Sequence, residues 1–249
     1  MSNFAQIKLQ LQALKLSGML QTVEHRLMEA EANSLAFSEA LSMLLSDESD
    51  ARKTRRLDRL IKRAHLEANK TLESFDFSAN PSVNASRVRE LATCRFIEKG
   101  ENLFLLGPTG TGKTHLAKAI AHAACRQDLT VDFYTFHDFF NAIARADLSQ
   151  VLERLTRTLV KTDLLVIDDF AFRKIDNRSA ECFYAIIDQR YTLRPVLLTS
   201  NRALSDWSAI FPDPIMANAV MDRLAHNAHQ ITIKGESYRK KLSPRPGNA

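Results

Sequence analysis

Cysteine is scarce and scattered. Cys94, Cys125 and Cys182 are the only three in 249 residues and none stands in a CxxC spacing. That removes a disulfide framework and a cysteine-built zinc site, and leaves three reduced core thiols as the expectation. Long apolar runs are missing too: no stretch approaches the roughly 20 residues a membrane span needs. The opening MSNFAQIKLQLQALKLSGML interrupts its apolar positions with Lys and Gln instead of building a signal-peptide core. A cytoplasmic chain with no membrane partner is expected. His226 and His229 lie close together but have no acidic or cysteine neighbour in sequence, so no metal site is read there. Neither an internal repeat nor a low-complexity tract is present, and no helix-turn-helix or finger pattern stands out.

What is there is the composition of an ordinary globular protein, 45% hydrophobic and 25% charged. The length admits a main domain with a smaller companion. Formal net charge is +5, which favours a polyanionic partner. Residues 1–80 carry 11 basic and 11 acidic side chains in segregated blocks: AFSEALSMLLSDESD is acidic, and ARKTRRLDRLIKRA directly after it holds seven bases and one acid.

The first 70 residues contain almost no Gly or Pro and show helical periodicity. Ile7, Leu11, Leu14, Met19, Val23 and Leu27 recur at steps of three to five, an amphipathic stripe, and a second helical region follows from Phe37. Residues 71–86, TLESFDFSANPSVNAS, gather aromatics, a Pro and small polar residues and are placed as a linker. The expected organisation is a helical N-terminal domain over 1–70, a linker over 71–86 and a larger domain over 87–249. From residue 103 the pattern alternates as strand 103–106, helix 112–126, strand 130–135, helices across 137–160, strand 164–168, helix 177–190, strand 196–200, helix 214–228 and strand 229–234. Such alternation predicts an α/β fold with a parallel sheet covered by helices.

Within it, GPTGTGKT from Gly107 to Thr114 satisfies GxxxxGK(S/T), after a strand and before a helix. The cradle runs Gly107, Pro108, Thr109, Gly110, Thr111, Gly112, with His115 just beyond. Its glycines let successive N–H groups face phosphates, and the following helix adds its positive N-terminal end. Lys113 supplies a cation to the β- and γ-phosphates of ATP, and the Thr114 hydroxyl is placed for Mg2+. KTDLLVIDDF then ends a buried strand in two acids. Asp168 is the expected magnesium carboxylate and Asp169 the general base for the attacking water. VLLTSN delivers Asn201 at a third strand end, either as a polar sensor of the γ-phosphate or as an ordinary turn residue. Arg223, next to Asp222, is read either as a finger toward a neighbouring subunit's γ-phosphate or as half of a surface ion pair.

Together these segments resemble the AAA+ ATPases of the IstB and DnaC type: ALKLSGM, TLESFDF, GPTGTGKTHLAKAI, LLVIDDF, VLLTSN, VMDRL and GESYRKKL cover nearly the whole chain. The resemblance is nearer to IstB than to helicase loaders. It implies a P-loop core with a small all-α N-terminal domain, ATP-dependent homo-oligomers on duplex DNA, a cognate transposase as partner and a role in target-site choice. It also implies Walker A at Lys113 and Thr114, Walker B at Asp168 and Asp169, sensor I at Asn201, an arginine finger at Arg223 and a second sensor at Arg239. Two departures stand out. Asp169 occupies a position where many such proteins carry Glu, which implies slow hydrolysis, and only residues 235–249 follow the last predicted strand, too few for the usual helical lid. For DNA, the block Arg52–Arg63 and the core residues Arg145, Arg173, Lys174 and Arg178 offer phosphate contacts with little sequence preference. A helicase-loading ATPase and a small-molecule kinase are the alternatives.

Overall fold

Three glycine-poor stretches open the chain as helices: α1 (Asn3–Ala13), α2 (Ser17–Ala32) and α3 (Phe37–Arg63). The structure, a computed structural model, describes residues 3–238. Contacts group the chain into two compact units, one ending at Arg59 and one beginning at Leu60.

In the first unit the expected single stripe divides. Lys15 has φ +57, the chain turns between α1 and α2, and Leu14 is left exposed while Met19 and Val23 are buried. The glycine of ALKLSGM has a packing reason: a Cβ on Gly18 would meet Ala51 Cβ and Glu48 Cα at 2.7 Å. That closeness lets the Glu48 carboxylate accept the N–H groups of Gly18 and Met19 at 2.6 and 3.2 Å, satisfying orphan donors at the start of α2. Arg26 grips Asp47 through two 2.8 Å bonds, and this guanidinium holds the Asp47 carboxyl down at about 2.

The second unit has the short helices α4 (Ala85–Leu91) and α5 (Arg95–Glu98). The alternating elements follow: β1 (Leu103–Leu106), α6 (Lys113–Arg126), β2 (Val131–Thr135), α7 (Phe136–Leu148), α8 (Leu152–Lys161), β3 (Leu164–Asp168), α9 (Asn177–Arg190), β4 (Val196–Ser200), a 3-10 helix (Leu204–Ile210), α10 (Pro214–Ala225) and β5 (His229–Thr232). The strands form one sheet in the order β2-β3-β4-β1-β5, every pair parallel. The all-apolar β1 and mostly apolar β3 and β4 are buried throughout, as strands covered on both faces must be.

Two expected ends move inward. The helix from 214 stops at Ala225 because His226 turns to extended backbone at ψ 125, and the last strand stops at Thr232 because Lys234 turns to exchange hydrogen bonds with Ser82. On one side of the sheet Phe136, Phe139, Phe140, Phe170, Phe183 and Trp207 pack edge-on or tilted, with neighbouring centroids 4.7–5.9 Å apart. Each such ring contributes about 1.5–3 kcal/mol by leaving water. Cys94, Cys125 and Cys182 are free and buried, and burial pushes the first two thiols up to about 11. None of the helices among the described residues is long and apolar enough to cross a membrane.

Candidate functional site

Strand order decides what meets at the carboxyl edge of the sheet. β4 lies between β3 and β1, so the turn after β1, the acids ending β3 and the polar end of β4 are neighbours although they are far apart in sequence. This is the edge where ligands collect in open parallel sheets.

After β1 the chain turns through Gly107, Gly110 and Gly112, with φ of +148, +81 and +98, into α6. A side chain at Gly110 would have to displace Ser237, whose Oγ would lie 2.1 Å from the new Cβ. The loop is tied internally by Thr111 Oγ1, which donates to the Pro108 carbonyl at 2.8 Å. Lys113, only 5% exposed, folds back so that Nζ donates to the carbonyls of Gly107 and Pro108, both at 2.8 Å. A buried ammonium and the N-terminal end of a four-turn helix converge here, which is the electrostatic setting for a polyphosphate.

Thr114 Oγ1 donates to Asp168 at 2.9 Å to Oδ2 and 3.1 Å to Oδ1. Asp168 is buried, and burial pushes its carboxyl above the usual range against the opposing bonds from Thr199 and Thr114. A hydroxyl and a carboxylate in contact are hard oxygen donors of the kind that hold Mg2+ alongside phosphate oxygens and water. The fit to that ion is good. Among the described residues no cluster of three or more His, Cys, Asp or Glu side chains forms an all-protein cage, which a phosphate-sharing site does not need. Asp169 differs sharply from its neighbour: it is exposed, lines the cavity and has φ +55.

The cavity over the P-loop measures about 660 Å³. Thr109, Gly110, Thr111, Gly112, Lys113 and Thr114 form one wall, with His115 and Asp169 beside them. The other walls come from residues 67–80 and from Glu236 and Tyr238. Sequence reasoning missed these walls. Residues 67–74 are bound along a polar stripe of α6: His115 Nε2 lies 3.0 Å from the Thr71 carbonyl and 3.2 Å from Ser74 Oγ, Lys118 pairs with Glu67 at 2.9 Å, His122 reaches the Glu67 carbonyl, and Arg126 pairs with Glu73. The i, i+3, i+7, i+11 spacing of those four side chains was the available signal. Phe75 then lies against Gly112, whose Cβ would meet its ring at 2.9 Å. Residues 235–238 return over the loop, and the Tyr238 N–H donates to the Gly110 carbonyl at 2.9 Å.

Lys113, Thr114, Asp168 and Asp169 are therefore brought together, while Gly107 and Pro108 lie off the cavity wall and offer their carbonyls to Lys113. Asn201 follows β4 by one residue, exposed and off the cavity wall. Arg223 lies at the far edge of the sheet: Asn102, just before β1, donates to the backbone carbonyls of Arg223 and Leu224. Its guanidinium donates to Asp188 at 2.8 Å, and not to Asp222, and sits over the Tyr184 ring. Arg239 lies outside the described residues.

Residues 9–245 match the family model described as IstB-like ATP binding protein. The chain is 40% identical over 210 residues, 84% of each chain, to a Geobacillus stearothermophilus protein named as an ATP-binding protein of insertion sequence IS5376. It is 35% identical over 242 residues, 97% of this chain and 91% of the other, to one so named for insertion sequence IS21 of Pseudomonas aeruginosa. In fold it is similar to AMPPCP-bound DnaA from Aquifex aeolicus, with TM-score 0.58 and 22% identity over 71% of this chain and 54% of that one. The DnaC helicase loader gives TM-score 0.53 and 23% identity over 67% and 98%. The five-stranded parallel sheet thus shares its fold with these structures, and the chain belongs to the IstB-like ATP-binding protein family.

Proposed function

We propose that this chain is a magnesium-dependent ATPase that assembles on duplex DNA and assists the transposase of an insertion sequence. The observation that carries the catalytic half is the contact of Thr114 with Asp168 beside a buried Lys113 and a cavity large enough for a nucleotide. In this reading Lys113 exchanges its carbonyl partners for β- and γ-phosphate oxygens. Bound Mg2+ would neutralise phosphate charge, with Thr114 and Asp168 as its protein partners. Asp169 accepts a proton from the attacking water as the bond between the γ-phosphorus and the β–γ bridging oxygen breaks, leaving ADP and inorganic phosphate. Asn201 acts as a sensor once the nucleotide is bound.

Arg223 stands at the opposite sheet edge from the P-loop, so it serves a neighbouring copy's nucleotide if it serves any. That supports ATP as the fastener between subunits. For DNA, Arg145, Arg173 and Lys174 are exposed, and the last two make no ion pair among the described residues, whereas Arg178 is held by Asp147. Much of the Arg52–Arg63 block is already paired: Arg52 and Arg55 with Glu48, Lys53 with Asp50, Arg63 with Asp132. The core residues are the stronger phosphate contacts in this reading. The insertion-sequence names of the relatives support a transposase as partner.

The test is sedimentation with a non-hydrolysable ATP analogue and duplex DNA, for the wild type, Lys113→Ala and Arg223→Ala. Large nucleotide-dependent assemblies are expected in the wild type alone. Assembly undiminished in both variants rejects the intersubunit role.

A further inference from the structure

Thr199, completely buried at the end of β4, spends its hydroxyl on both acids at once. Its Oγ1 accepts the backbone N–H of Asp169 at 2.9 Å and donates to Asp168 Oδ1. The direction is forced: a backbone N–H can only donate, so the hydroxyl proton is directed to the carboxylate. The Thr199 carbonyl accepts the N–H of Phe170 at 2.7 Å, and Ser200 Oγ donates to the Phe170 carbonyl at 2.7 Å. Hydrogen bonding between β3 and β4 thus continues past their ladder, through two hydroxyls and one backbone bond, across residues 168–170. It does so where the backbone most needs holding. Asp169 and Ala171 have φ of +55 and +65, conformations that residues other than glycine keep only when their surroundings enforce them.

From this arrangement we propose that Thr199 is a positioning residue of the ATPase site. It fixes the Asp168 carboxylate against Thr114, and it fixes the Asp169 backbone in the left-handed turn that sends the neighbouring carboxylate to the cavity. One hydroxyl therefore sets two different fates for adjacent, chemically identical acids: one buried on the metal side, one exposed on the water side. Thr199 is fully buried and off the cavity wall, so it acts through the acids. The inference rests on the proposed ATP and Mg2+ reading and deepens it.

The experiment is titration of a fluorescent ATP analogue with and without Mg2+ into wild type, Thr199→Val, Thr199→Ser, Asp168→Asn and the Thr199→Val/Asp168→Asn double variant. Thr199→Ala replaces the valine variant, including in the double, if that protein does not melt cooperatively. Expected results are a Mg2+-dependent gain in wild-type affinity, loss of at least tenfold of that gain in the variant lacking the hydroxyl, and metal-free affinity unchanged within twofold. Serine, which keeps the hydroxyl, restores the gain, and the double variant binds like Asp168→Asn alone. The Thr199 role is overturned if the hydroxyl-free variant keeps the full gain, if serine is equally impaired, if metal-free binding falls in step, or if the double variant loses further affinity. A wild type whose affinity ignores Mg2+ overturns the functional reading, and this inference with it.

Discussion

Lys113 and Arg190 are the only Lys or Arg side chains buried below a tenth exposure among the described residues, and they sit at opposite edges of one sheet. Both donate to backbone carbonyls. Lys113 donates to two within its own loop, while Arg190 reaches those of Leu159, Thr162, Asp163 and Pro195, the segments leading into β3 and β4. The difference is the space alongside: a cavity of about 660 Å³ at Lys113, about 10 Å³ at Arg190. A buried cation wrapped by carbonyls with no room beside it is a staple, and one with room and few carbonyls is a receptor. Burial alone does not separate them.

Four experiments bear on that contrast. The largest effect is expected for Lys113→Ala, which should lower ATP turnover by at least ~10²–10³-fold, the scale for removing one charge-stabilising donor. Its melting temperature should stay near wild type. A large loss of stability would make Lys113 a second staple. Arg190→Met should do the reverse. It strands several buried acceptors, each worth about 1–3 kcal/mol, so denaturant unfolding should report a loss of roughly 3 kcal/mol or more. Nucleotide affinity per folded molecule should stay within twofold. The lone Trp207, packed on Phe170 at 4.8 Å between centroids, gives the fluorescence signal for both curves.

Smaller is Gly110→Ala. A side chain at φ +81 costs about 1–2 kcal/mol, and the new Cβ displaces Ser237, so nucleotide affinity and melting temperature should both fall. Smallest is a pH effect at His115. Burial lowers its pKa below the ordinary 6.5, so the unfolded chain binds the proton more readily. Stability supplied by neutral His115 is fully present above about 6.5 and declines as pH falls from there toward the lower folded value. His115→Gln should flatten that slope in melts between pH 5 and 7.5; an unchanged slope would assign it to another group.

Much of the core was legible because its signals are local. The strands at 103–106, 164–168 and 196–200 announce themselves by short apolar runs, the last with Pro195 at its start, and the helix at 177–190 by its place between two of them. Gly107 to Thr114 needs no partner to be recognised. The walls of the cavity were not legible, because Glu67, Thr71 and Ser74 acquire meaning only against α6, some 41 to 55 residues on. Arg190 looked like any basic residue ending a helix, and Thr199 like any strand residue. Their roles come from the register of β4 beside β3, which periodicity does not reveal. The Pro and small polar residues of 71–86, read as a linker, gave no sign that Phe75 closes on Gly112.

The lacing of residues 67–74 onto α6 has a mechanical result. His115 stands next to Thr114, so the helix that begins at the P-loop is tied from its first turn onward to a defined stretch of chain. Two histidines, a lysine and an arginine make that connection.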